Sequence, residues 1–111
     1  MEFNEVKIEI FIPEEYVIKI REELNKINAI TIGNYDNVLS LSNVRGYWRP
    51  LENADPFEGE IDKICEGHEC KVELRCKSNK VREALKVIRK IHPYEEPVIN
   101  VIPLLNHLFE Q

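Results

Sequence analysis

The chain has 111 residues, enough for one small domain and too few for two. Hydrophobic residues make up 43% and charged residues 32%, a balance that allows a buried core and argues against disorder. Fifteen Lys and Arg against twenty Asp and Glu leave a net charge of −5, the wrong sign for a protein that sheathes a phosphate backbone. No apolar run approaches the ~20 residues that a bilayer span needs. The opening Met1-Glu2-Phe3-Asn4-Glu5 lacks the basic head of a signal peptide. Three cysteines leave one over after any internal pairing, and a secreted disulfide scaffold would be denser. A cytoplasmic protein with neither nucleic acid nor membrane as partner is the expectation.

Val6, Ile8 and Ile10 alternate with Lys7, Glu9 and Phe11, the period of a half-buried strand. Pro13 closes it and suits the first turn of a helix, where its missing N–H is no loss. Glu14 and Glu15 then place negative charge at the positive end of that helix. Tyr16, Val17, Ile20, Leu24 and Ile27 recur at helical spacing, so a helix over 14–27 has one apolar face. Residues 28–37 are turn-rich, and Gly33-Asn34 can supply positive φ. Val38, Leu39 and Leu41 begin a second strand and Tyr47-Trp48 sit in a third, with Asn43–Gly46 expected as the hairpin turn between them. Residues 50–60 form the longest loop.

Ile61, Ile64 and Cys65 lead to a second expected hairpin turn at Glu66-Gly67-His68-Glu69. Cys70, Val72, Leu74 and Cys76 alternate with charged residues as a further strand. Ser78 or Asn79 can cap a helix whose apolar face is Val81, Ala84, Leu85, Ile88 and Ile91. It must stop at His92-Pro93, because the residue before proline is pushed out of the helical region. Val98 to Leu104 is the last strand, and Leu105 to Gln111 a short tail with Leu108 and Phe109 at helical spacing. Two helices with one apolar face each cover one side of a sheet. The expectation is an α+β ferredoxin-like sandwich, βαββαβ, with helices on one face of an antiparallel sheet and one domain over 1–111. The nearly continuous Val and Ile of the last strand imply burial on both faces, and hence self-association in a closed ring.

The densest polar segment is His92-Pro93-Tyr94-Glu95-Glu96-Pro97, in which two prolines hold an imidazole, a phenol and two carboxylates on stiff backbone. His92 with Glu95 and Glu96 could ligate copper or zinc. Equally, His92 could cap the helix end while Tyr94 anchors the crossover. Cys65, His68 and Cys70 could form a zinc knuckle, although Cys70 and Cys76 also fit as small core residues. Gly33-Asn34-Tyr35-Asp36 could hold an anion through backbone N–H groups or simply turn the chain. Arg45, Arg49 and Trp48 could pair and stack with a small anionic or planar ligand. There is no Ser-His-Asp trio, Walker loop or dinucleotide fingerprint. His92, tuned by Glu95, is the one candidate general base, so a non-enzymatic protein is expected.

Gly33-Asn34-Tyr35-Asp36, Gly46-Tyr47-Trp48-Arg49-Pro50, Asn53-Ala54-Asp55-Pro56-Phe57-Glu58-Gly59 and His92-Pro93-Tyr94-Glu95-Glu96-Pro97 occur in that order. Together they resemble the inserted domain of YqfO-type proteins, of the Nif-three-like (NGG-one-interacting factor) dinuclear-metal family, from about Val6 to Leu104. The last segment is also similar to CutA, the divalent-ion tolerance protein. The resemblance implies a PII/CutA-like fold, a homotrimer, and a ligand-sensing or interaction module, with divalent-metal binding of the CutA kind as the alternative. Asn34, Tyr35, Asp36, Arg49 and Tyr94 would then lie at a ligand site or subunit cleft, and His92, Glu95 and Glu96 would be the metal donors. In YqfO-type proteins the dinuclear ligands belong to a portion that this sequence lacks. The glycine-poorer turn at Asn43–Tyr47 and the Cys65-His68-Cys70 cluster depart from the family pattern.

Overall fold

The computed structural model describes residues 2–110; Met1 of the opening segment and Gln111 of the expected tail lie outside them. Strand β1 (Glu5–Ile12) buries every second residue, Val6, Ile8, Ile10 and Ile12. Pro13 ends it, a single 3-10 turn over Glu14–Tyr16 follows, and helix α1 (Val17–Lys26) runs back along the sheet. Strand β2 (Ser40–Trp48), strand β3 (Cys65–Lys77), helix α2 (Val81–Ile91) and strand β4 (Ile99–Pro103) complete the βαββαβ order. All pairings are antiparallel and the sheet order is β2-β3-β1-β4.

Both helices lie on one side. Val17, Ile20 and Leu24 of α1 and Ala84 and Ile88 of α2 share a single core with the even-numbered residues of β1 and with Cys70, Val72, Leu74 and Cys76 of β3. The opposite side of β1 and β3 is a charged lattice. Lys7 pairs with Glu9 at 3.3 Å and with Glu73, Lys71 reaches Glu9 at 3.3 Å, and Arg75 meets Glu5 at 3.1 Å. An antiparallel sheet tolerates one wet face of this kind. Glu9 is held below the ordinary carboxylate range, first by the Asn100 amide and then by Lys7 and Lys71.

Two expectations are corrected. Asn43–Gly46 and Glu66–Glu69 are not turns. They pair with each other, Asn43 opposite Cys70 and Gly46 opposite Gly67, inside two unbroken strands. Each segment supplies the ladder partner that satisfies the other's backbone, and a full ladder outweighs a local turn preference. The true connection is the loop over 49–64. Secondly, neither Ser78 nor Asn79 caps α2; the Ser78 hydroxyl bonds to the Phe3 carbonyl instead, and a 3-10 turn over Ser78–Lys80 leads into the helix. Within the chain only Ile99 of β4 is half-buried, packed against the core, and the rest of this edge strand is left without the cover its run of Val and Ile implies.

Strand lengths are unequal, and that shapes the molecule. β1 ends opposite Cys70, so Cys65–Glu69 pair with β2 alone and form a two-stranded ribbon with Val44–Trp48. The chain spans 52 Å in its longest dimension, and its radius of gyration is 15.6 Å. A compact chain of this length would give about 13 Å. Among the described residues, no helix is long and apolar enough to cross a membrane.

Ile10 is fully buried at the centre of β1. Ile10→Ala should lower unfolding free energy by about 2–5 kcal/mol, read as a reduced urea midpoint at unchanged slope.

Candidate functional site

The ribbon reverses the covering seen in the body of the sheet. There, Arg45 and Tyr47 of β2 and Glu66 and His68 of β3 stay exposed on the helix side, since both helices end short of them. The other face, Val44, Gly46 and Trp48 with Cys65, Gly67 and Glu69, is half-buried. The 49–64 loop does the covering. Trp48 lies over Gly67, where a Cβ would stand 3.0 Å from the indole ring. The indole Nε1–H donates to the Glu58 carbonyl at 3.1 Å. Gly59 adopts φ +104°, and a Cβ there would meet the Cys65 sulfur at 2.8 Å, so only glycine lets the loop pass this close. Asp62 N–H to Pro50 O, 2.7 Å, closes the loop on itself.

The second wall is the strap between α2 and β4. His92 ends the helix in an extended conformation, as Pro93 requires. Its side chain turns inward and is the one buried polar side chain among the described residues. Nε2 lies 2.7 Å from the Phe11 carbonyl, and Nδ1 accepts the Tyr94 N–H at 3.2 Å. With one nitrogen donating and the other accepting, the ring is neutral. Burial depresses its proton affinity and outweighs the Phe11 carbonyl and Glu69, which act the other way. The Tyr94 hydroxyl donates to Glu69 Oε2 at 2.9 Å, and Asp55 N–H donates to Glu95 Oε1 at 2.8 Å. Burial, and then the Glu69 bond, raise the Tyr94 phenol, which stays protonated. Phe57 bridges Tyr16 and Tyr94 with ring centroids 6.3 and 5.9 Å apart.

Ribbon, loop and strap enclose a cleft of about 540 Å³, a size that suits a small molecule. Arg49, Tyr94, Glu95 and Glu96, expected from sequence, line it together with Trp48. Asn34, Tyr35 and Asp36 do not join them. They form a tight turn beyond the C-terminal end of α1, with Gly33 at φ +56° and Ile32 and Tyr35 exchanging backbone bonds of 2.8 and 3.0 Å. That turn is tied to α1 by Asn25, whose Oδ1 accepts the Asn37 N–H at 2.8 Å. Sequence reasoning missed Glu69, and it placed Phe57 in a family motif without pairing it with Tyr94. Glu69 was hidden by the false turn at 66–69, and nothing local marks Phe57 as a partner of Tyr94.

The residues do not fit a metal. Both nitrogens of His92 are engaged, and among the described residues no three His, Cys, Asp or Glu side chains gather as a ligand set. The knuckle expected from Cys65, His68 and Cys70 is instead a straight strand that sends Cys65 to one face and the other two to the opposite face. Cys70 and Cys76 are buried core residues whose thiols burial pushes up. Arg45 pairs with Glu66 at 3.2 Å on the exposed ribbon face and does not join Arg49.

Known proteins share both fold and sequence with the chain. The family model described as CutA1 divalent ion tolerance protein matches residues 60–109. A Staphylococcus epidermidis protein named GTP cyclohydrolase 1 type 2 homolog is 32% identical over 98 residues, covering 88% of this chain and 27% of the relative. A Bacillus subtilis protein of the same name is 30% identical, with 88% and 26% covered. This chain thus spans about a quarter of the length of these curated relatives. Among solved structures, a Bacillus cereus protein related to NIF3 superimposes with TM-score 0.80 at 26% identity, over 94% of this chain and 26% of the other. CutA1 from Ehrlichia chaffeensis gives 0.70 at 22% identity, over 96% and 86%. The fold is that of the PII-like CutA proteins, and the sequence resembles a segment of the NIF3-related chains.

Two outcomes follow from the packing. Gly67→Ala should drive the indole off the ribbon, shift tryptophan emission and reduce stability by about 1–3 kcal/mol. Gly46→Ala, where a Cβ meets nothing within 4 Å, should leave emission unchanged. His92 has its folded proton affinity depressed from the ordinary 6.5. Its contribution is therefore complete above that value and shrinks as pH falls through it towards the lower folded value. The urea midpoint should drop between about pH 8 and pH 5, and the drop should be smaller in His92→Gln.

Proposed function

We propose that this chain, with the PII/CutA fold and the sequence of a NIF3-related segment, is a non-enzymatic oligomeric module. It assembles as a homotrimer and receives a small ligand or protein partner at the ribbon cleft. One observation carries the reading. Loop 49–64 and strap 92–98 are far apart in sequence, yet they close on the same ribbon: Asp55–Glu95 ties loop to strap, and Tyr94–Glu69 ties strap to ribbon. Such cross-bracing pre-forms a cavity, the usual condition for small-ligand binding.

Assembly is supported by what one copy leaves bare. β2 and β4 are both open edges of the sheet. Val101, Ile102, Leu105, Leu108 and Phe109 are exposed along β4 and the segment after it. Open edges and contiguous apolar surface favour pairing with further copies. A single domain over residues 1–111 and a cytoplasmic setting belong to the same proposal, the latter supported by three free cysteines. A catalytic base is poorly served by His92, whose two nitrogens are occupied by structural bonds. Divalent-ion binding of the CutA kind has the family-model match in its favour, but no three His, Cys, Asp or Glu side chains gather among the described residues.

Light scattering at micromolar concentration should return three times the chain mass of 13.1 kDa, and a plain monomer would overturn the assembly. Ile102→Glu, on the wet face of β4 opposite Lys7, should lower the assembled fraction while leaving the circular dichroism of the chain intact.

A further inference from the structure

The cleft's charge is lopsided. Glu58, Glu69, Glu95 and Glu96 line it against Arg49, with His68 as the one other titratable group of basic type. None of the four carboxylates has an ion-pair partner among the described residues, whereas Glu5, Glu9 and Glu73 on the neighbouring sheet face are all paired with lysine or arginine. Glu69 and Glu95 each use one oxygen on a neutral donor, Tyr94 O–H and Asp55 N–H. Aromatic rings of Trp48, Phe57 and Tyr94 supply the walls.

We infer that the cleft takes a compact organic cation, a primary or quaternary ammonium, and rejects nucleotides and other anions. The assignment rests on reading the cleft as a ligand site. Aromatic faces attract an ammonium through their quadrupole, and unpaired carboxylates around a concave, partly apolar surface concentrate cations there. An anion of matching size would meet one guanidinium and four like charges. The open sheet face shows the contrast, since its carboxylates are already neutralised and leave no field to recruit a ligand.

The test titrates the full chain with choline, putrescine and ATP at constant ionic strength, following tryptophan emission and heat. Choline or putrescine should bind saturably. The Glu58→Gln/Glu96→Gln variant, altered at two exposed side chains with no bonded partner among the described residues, should weaken that binding about tenfold or more. A Glu14→Gln/Glu22→Gln variant with the same change in net charge should not. Absence of saturable binding by both amines, or equal weakening in the two variants, overturns the inference. Saturable ATP binding that Arg49→Ala removes would sink the cation while the cleft stands as a ligand site. Failure of all three probes in a chain that still assembles would remove the ligand-site reading and the inference together, leaving the trimer.

Discussion

The structure turns on a mismatch in strand length. β3 continues five residues past the point where β1 stops, Cys65–Glu69 against a last pair at Ile12 and Cys70. Past that point there is no third strand and no helix. A bare two-stranded ribbon is marginal in water, so something must cover one of its faces. The 49–64 loop does so from the side opposite the helices, with Trp48 as the anchor and two glycines allowing close approach. The change of covered face along one continuous β3 is what creates a cleft at the join.

The strap after α2 makes the cleft firm. Pro93 stops the helix and frees His92 to turn back onto the end of β1, where its bond to the Phe11 carbonyl satisfies an acceptor at the sheet's end. Tyr94 then lies close beside the imidazole ring, 4.7 Å between centroids, and reaches Glu69 on the ribbon. An imidazole used in this way is a structural link between helix, sheet and strap. The same bonds that make it valuable there withdraw it from metal ligation and proton transfer.

Charge is distributed with equal consequence. On the wet face of β1 and β3, lysines and carboxylates alternate and neutralise each other, which leaves a surface that is polar and nearly balanced. The cleft collects four carboxylates against a single guanidinium, and none of the four is ion-paired among the described residues. The edge at β4 collects apolar side chains without cover. Two different kinds of incompleteness therefore sit on one small chain, one electrostatic and one hydrophobic.

Strand β1, both helices and the stop at His92-Pro93 were legible because each depends on periodicity or proline within a short window. The β2–β3 ribbon was not, since Asn43–Gly46 and Glu66–Glu69 carry turn residues and become strand only by pairing with one another. At the cleft, Tyr94, Glu95 and Glu96 stood out as a dense polar run, whereas Glu69 and Phe57 gain their meaning from residues that are distant along the chain. Asn34–Asp36 looked equivalent to the cleft motifs, and the direction of α1 carried them to the other end of the molecule. The sequence by itself determined which residues of β1, β3 and the two helices are inside, because burial there follows a local periodicity of apolar and polar side chains. The tertiary structure alone decided which face of the ribbon is covered and which side chains meet there, because those outcomes depend on long-range register and on where neighbouring strands end.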